Sequence, residues 1–271
     1  MSSKTRSSKE GSTVADLFSL SGRVAVVTGG CGRYGRPIST ALAQAGATVI
    51  VASRDLEHCL EFANELRSRN LQAHAQQMDL SSVGSVGDGW RQIEDRWHHI
   101  DVLVNNAVAR SGTHFETISE EDWYKTLSVN AIGLFVISKL AAGHMTSRRS
   151  GSIINIASIH GVVAPDFDIY GSTGWTSPAN YAFEKGGMVQ FTRYLAALLG
   201  PHSVRVNALS PGGLYAESMP DEFLENYCRR APLGRLASPI DIMGAAVFLA
   251  SDASAYVTGH NLVVDGGYTA L

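Results

Sequence analysis

Val24-Ala25-Val26-Val27-Thr28-Gly29-Gly30-Cys31-Gly32-Arg33-Tyr34-Gly35-Arg36-Pro37 is the stretch that decides the fold. Its β-branched start has the composition of a buried parallel strand. The glycines that follow allow a tight turn and a close approach of backbone to a pyrophosphate. Ile38 to Gln44 then opens a helix whose first amides favour an anion. Pro37 fits the first turn of that helix, where a missing N–H costs nothing. A Gly-rich turn alone is a weak signal. Between a strand and a helix, in the first βαβ unit of a chain, it is much stronger.

Outward from this turn the chain alternates. Strands are predicted at Val24–Thr28, Thr48–Ser53, Gln72–Met78, Val102–Asn105, Ser152–Ala157, Val204–Ser210 and Asn261–Val264. Helices are predicted at Pro37–Ala45, Leu56–Arg69, Ser85–Trp97, Ser119–Thr146, Asn180–Leu199 and Pro239–Ala250. This order implies an α/β fold: one Rossmann-type, doubly wound parallel sheet flanked by helices on both faces. With 271 residues the chain can bury one large core. Residues 1–18, rich in Ser and Lys at their start, read as a flexible N-terminal tail, and 19–271 as the domain.

Composition narrows the function. A net charge of −3 and no basic stripe argue against nucleic acid. No apolar run of about 18 residues is apparent, so no membrane span is expected. Cys31, Cys59 and Cys228 are too few and too scattered for a disulfide framework or a metal site, and suit a reducing cytoplasm.

Short polar residues fall at the predicted strand ends: Asp79, Asn105-Asn106-Ala107, Ser158, Asn207 and Pro211-Gly212-Gly213. Singly, each reads as turn chemistry. Jointly, they line the one sheet edge where ligands of such folds bind. Tyr181 and Lys185 lie four apart on a predicted helix and so share a face. An ammonium beside a phenol favours the phenolate, lowers its pKa from about 10, and prepares it to exchange a proton near neutral pH.

Taken together, these motifs resemble the short-chain dehydrogenase/reductase family over roughly Ser19 to Tyr268. The matches run in the family's order: the Gly-rich turn, Asn105-Asn106-Ala107, Asn130, Ser158, Tyr181-x-x-x-Lys185, Pro211-Gly212, and the ending Thr258-Gly259-His260 through Asp265-Gly266-Gly267-Tyr268. The resemblance implies hydride exchange between nicotinamide and a carbonyl or alcohol carbon. It makes Tyr181 the general acid/base and has Lys185 lower its pKa and bind the nicotinamide ribose. Ser158 would hold the substrate oxygen, and Asn130 would anchor a relay water; the plainer reading of Asn130 is a residue at a helix kink. For the coenzyme it points to Thr28, Gly29, Gly32, Arg33, Tyr34, Gly35, Ser53, Arg54, Asp79, Leu80, Asn106, Ala107, Pro211 and Gly212, with Tyr181 and Lys185.

Two departures stand out. Arg33 replaces the middle glycine of the family's turn, so it either crowds or contacts phosphate, faces solvent, or shifts the register to Gly32. Ser158 and Tyr181 are twenty-three residues apart where the family has about thirteen, which implies an insert within 164–179. Its Asp166, Asp168, Tyr170, Ser172, Thr173, Trp175 and Thr176 suit a polyhydroxylated or amino-bearing substrate, or a subunit contact. Ile169 to Leu195 resembles oxidoreductases of nonulosonic acid sugar pathways.

Ser53-Arg54 stands where an acidic residue would select NAD, so NADP(H) is favoured over NAD(H). Asp55 reads as the cap of the next helix. A lid is expected near 213–230, holding Tyr215, Met219, Phe223, Leu224 and Tyr227. The resemblance also implies a homo-oligomer, tetramer or dimer. The expected substrate is a small polar carbonyl or alcohol, sugar derivatives included. The alternatives are a 3-oxoacyl-thioester reductase and a catalytically idle cofactor-binding subunit.

Overall fold

The computed structural model describes residues 12–271. Seven strands, β1 Val24–Thr28, β2 Thr48–Ser53, β3 Ala73–Gln77, β4 Val102–Asn105, β5 Gly151–Ile156, β6 Val204–Pro211 and β7 Asn261–Val264, form one sheet in the order β3-β2-β1-β4-β5-β6-β7. All six pairings are parallel; Val26, for instance, pairs with Ile50 on one side and Leu103 on the other. The order reverses between β1 and β4, and this leaves the crevice at their carboxyl ends where a ligand can enter.

The helices are α1 Val14–Phe18, α2 Gly35–Gln44, α3 Leu56–Ser68, α4 Val83–Trp97, α5 Glu120–Leu127, α6 Leu134–Arg148, α7 Ala179–Leu199, α8 Asp221–Arg230 and α9 Pro239–Ala250. One face of the sheet packs on Ile38, Leu42, Phe62, Ile242 and Leu249 from α2, α3 and α9. The other packs on Val86, Trp90, Ile137, Met145, Leu195 and Leu199 from α4, α6 and α7. Every residue of β1 and β4 is buried, so both strands are held from two sides. Each such Val, Ile or Leu contributes about 2 kcal/mol relative to exposure.

Two expectations change. The tail does not extend to Phe18. Thr13 and Asp16 form a capping box that starts α1, and Phe18 sits 6.4 Å from the Phe248 ring; residues 1–11 of the expected tail lie outside the described residues. The helix expected over Ser119–Thr146 is interrupted by a π-helical turn, Ser128–Gly133, between α5 and α6. The whole of Glu120–Arg148 is long and apolar enough to cross a membrane by composition. One side of it packs on the sheet, where Ile137, Ala141 and Met145 are fully buried.

Candidate active site

The turn after β1 keeps its close backbone approach despite Arg33. Gly29 has φ +58°, and a Cβ on it would fall 2.9 Å from Ala107 Cα. A Cβ on Gly35 would fall 2.0 Å from the Gly29 carbonyl oxygen, so this position admits glycine alone. Arg33 is exposed, and its guanidinium leaves the turn: Nη2 donates to Leu214 O at 2.8 Å. Tyr34 does the same with its hydroxyl, donating to Gly212 O at 2.7 Å. Burial pushes the Tyr34 phenol far above its usual range, so it serves as a neutral donor.

Thr28 holds the switch point shut. Its Oγ1 donates to Val104 O at 3.2 Å and accepts from the amides of Asn106 at 3.0 Å and Ala107 at 3.1 Å. Asn106 Nδ2 donates to Thr28 O and Gly29 O. Asn105 turns inward instead, donating to Ser138 Oγ and Asn155 Oδ1, while Asn155 Nδ2 donates to Thr192 Oγ1. This buried polar chain ties β4 and β5 to α6 and α7, so the strand ends that carry the site move together.

Tyr181 and Lys185 share a face of α7, with the ammonium 5.8 Å from the phenol ring centroid. Lys185 is buried and donates to Ile156 O at 2.6 Å. Burial acts against a charge on Lys185 and lowers its pKa, although the nearby Tyr181 opposes that shift. For Tyr181 burial also disfavours the charged form. The charges of Lys185 and Arg110 and a hydrogen bond from Ser158 outweigh it, so the phenol titrates below its ordinary value. Ser158 is buried at the end of β5, where its Oγ accepts from His160 N at 3.2 Å.

Asn130 lies in the π-helical turn, as the kink reading expected. Its Oδ1 accepts from Ala109 N at 2.8 Å, and its Nδ2 donates to Ala109 O and Glu184 Oε2. The π turn thereby ties the loop after β4 to α7.

These groups open onto one cavity of about 670 Å³. It runs from Gly29, Gly32, Arg33 and Tyr34, past Asn106 and Ala107, to Ser158, Tyr181 and Lys185, and ends under Pro211 and Gly212. Ser53, Arg54, Asp79 and Leu80 are not part of its lining; they stand at the ends of β2 and β3 beside it. Arg54 is exposed. Asp55 caps α3 by accepting from His58 N at 3.1 Å. Asp79 is engaged in its own turn through Ser81 N and Oγ.

The insert divides its residues between two tasks. Ile169, Tyr170, Trp175, Thr176 and Ser177 line the cavity. Tyr170 stacks on Phe223 of α8 at 5.7 Å, and Trp175 packs on the same ring at 5.6 Å. Its polar groups face α8: Asp166 lies 3.7 Å from Arg230, and Ser172 N and Oγ donate to Glu222. The expectation that its carboxylates face a substrate is therefore corrected, because neither Asp166 nor Asp168 lines the cavity.

Two lining residues with basic side chains escaped the sequence reading. Arg110 sits with its guanidinium carbon 4.9 Å from the Tyr181 ring centroid. His160 packs edge-on to Tyr181 at 6.2 Å, and its Nδ1 is 2.9 Å from Ser177 Oγ. Burial, helped by Arg110, pushes the His160 pKa down to about 4, so the ring is neutral at physiological pH. Their only sequence signal was proximity, Arg110 to Asn105-Asn106-Ala107 and His160 to Ser158.

A family model described as enoyl-(acyl carrier protein) reductase matches residues 34–269. A 3-oxoacyl-[acyl-carrier-protein] reductase of Aquifex aeolicus is 34% identical over 92% of this chain and 98% of its own length. A gluconate 5-dehydrogenase of Gluconobacter oxydans is 34% identical over 94% of this chain and 97% of its own. The crystal structure of a gluconate 5-dehydrogenase from Burkholderia cenocepacia, in complex with NADP and tartrate, superposes with a TM-score of 0.88 at 31% identity, over 96% of this chain and 100% of that one. With the parallel sheet, the Gly-rich turn and the Ser158, Tyr181 and Lys185 cluster in place, the chain belongs to the short-chain dehydrogenase/reductase family and is an oxidoreductase of CH–OH and C=O groups.

Proposed function

We propose that this oxidoreductase exchanges a hydride between NADP(H), in preference to NAD(H), and a small polar carbonyl or alcohol, with sugar derivatives the first class to test. The observation that carries it is the single cavity joining a glycine cradle to a lysine-activated tyrosine. The cradle fits a dinucleotide: a side chain on Gly29 or Gly35 would fill it, and α2 starts directly behind it. Thr28, Gly29, Gly32, Tyr34, Gly35, Asn106, Ala107, Pro211 and Gly212 would hold the coenzyme, with Asp79 and Leu80 at its adenine end. Ser53 and exposed Arg54 would favour a 2′-phosphate. Arg33 would act from the rim. When bound, nicotinamide supplies the hydride chemistry.

The chain's own residues supply the proton. Tyr181 gives it to the substrate oxygen in reduction and takes it in oxidation. Ser158 positions that oxygen and stabilises charge developing on it. Lys185 keeps the phenol acidic, and Asn130 holds the backbone around the relay to solvent. Because the Tyr181 pKa is lowered, alcohol oxidation rises as pH increases through that value and carbonyl reduction falls through it.

Tyr181→Phe is expected to lower turnover by about 10³-fold while leaving coenzyme affinity intact. Unchanged turnover would overturn the mechanism, and lost turnover with kept coenzyme would exclude an idle subunit. Side-by-side fluorescence titration with NADPH and NADH tests the preference. Arg54→Ala should weaken NADPH by roughly tenfold and leave NADH unchanged.

The relatives named above bear on gluconate and 3-oxoacyl thioesters. They lend nothing to the nonulosonic acid likeness of Ile169 to Leu195, which enters as one sugar-acid class for the substrate screen. A 3-oxoacyl thioester belongs in the same screen. A homo-oligomer is part of this reading, supported by exposed Phe135, Phe183, Tyr194 and Leu198 on α6 and α7, and light scattering measures it. A cytoplasmic location is proposed too, in accord with three free cysteines.

A further inference from the structure

The ionisable lining of the cavity is one-sided. Arg33, Arg110 and Lys185 contribute to it, and no Asp or Glu does. Two of these cations already have backbone acceptors, Leu214 O for Arg33 and Ile156 O for Lys185. Arg110 differs. It is exposed, and among the described residues no carboxylate forms an ion pair with it. Its near neighbour is the Tyr181 ring, 4.9 Å away. Of the carboxylates around the insert, Asp166 lies by Arg230 and Glu222 accepts from Ser172. His160 adds a hydrogen-bonding ring without charge.

A guanidinium with no carboxylate partner, exposed at the cavity wall beside the Tyr181 phenol, is a receptor for an anion. Its fork matches a carboxylate through two parallel N–H donors, which a lysine cannot reproduce. An ammonium-bearing substrate would meet a like charge there with no acid to offset it. The short span from Arg110 to the Tyr181 ring limits how far the anionic group lies from the reacting oxygen: a few carbons. Resting on the oxidoreductase reading above, we infer that Arg110 is the specificity-determining residue of this site, selecting short hydroxy and oxo acids by their carboxylate over neutral and amino sugars.

Arg110 also helps ionise Tyr181, and the two roles separate experimentally. If Arg110 acts only on the phenol, its removal shifts the pH profile equally for charged and neutral substrates. If it also binds a carboxylate, the acid loses affinity selectively. Binding of that carboxylate neutralises Arg110 and weakens its hold on the phenolate. The Tyr181 titration then appears at higher pH in kcat than in kcat/KM for the acid, and at similar pH in both for a neutral ketose.

The test uses the full chain saturated with NADP+. Calorimetric titration with tartrate, and with threitol as its uncharged counterpart, compares wild type, Arg110→Met and Arg110→Lys. Tartrate is expected to bind wild type and to lose roughly thirtyfold in Arg110→Met, with part recovered in Arg110→Lys and threitol unaffected. NADPH reduction of 5-oxo-D-gluconate should show the same loss as a rise in KM, with the KM for D-fructose unmoved. Equal affinity for tartrate and threitol, no tartrate binding, or a tartrate affinity indifferent to Arg110→Met overturns the inference. Failure of the underlying reading looks different: coenzyme does not bind, or Tyr181→Phe turns over normally.

Discussion

On the β1 side of the cavity, the surface is made of backbone: two glycines that no side chain can replace, and amides held by Thr28. On the opposite side it is made of rings: Tyr170 and Trp175 of the insert laid on Phe223 of α8, with Tyr227 5.8 Å from Phe223 and stacked on Tyr268 at 4.9 Å. The first surface has one acceptable shape and tolerates almost no substitution. The second has many, since ring-on-ring packing adapts in small steps. On the reading proposed above, the coenzyme would lie on the first surface and the substrate, which differs between the named relatives, on the second.

Three substitutions strain this contrast in descending order. Phe223→Ala removes the ring on which Tyr170 and Trp175 lie. It should cost about 3 kcal/mol in urea unfolding and raise substrate KM without touching coenzyme affinity. A parallel loss of coenzyme binding would mean that the two surfaces are one. Gly35→Ala pushes a methyl into the Gly29 carbonyl. It is expected to cost about 2 kcal/mol and to weaken coenzyme at least as much as it weakens the fold. Normal coenzyme binding in that variant would show that the turn yields more than its geometry indicates. Asp55→Ala removes the α3 cap, for a loss of about 1 kcal/mol in thermal melts. The NADPH-to-NADH ratio should stay fixed; a change there would return Asp55 to the ribose.

The backbone surface was readable in advance, because glycine spacing, strand composition and Pro37 each act over a few neighbouring residues. The strands and helices predicted from composition match within a few residues for the same reason. The ring surface was readable only as content. The insert's aromatic residues were visible, but not that Asp166 and Ser172 turn to α8, since that depends on an element some fifty residues downstream. The π turn was readable only as a kink at Asn130: one extra residue in a helix changes the hydrogen-bond ladder, not the residue types. Arg110 and His160 were missed because loop residues have no periodicity, and only the fold brings them to Tyr181.

Arg33 and Leu214 are 181 residues apart in sequence, and Tyr34 and Gly212 are 178 apart. Bonds of that span form late in folding, since the entropy of closing so long a loop must be overcome before the contact stabilises anything. The mouth of the cavity is completed only once β6 has docked on β5. A coenzyme that needs both the turn and the mouth binds the finished fold alone, and so draws the folding equilibrium toward it in proportion to its concentration.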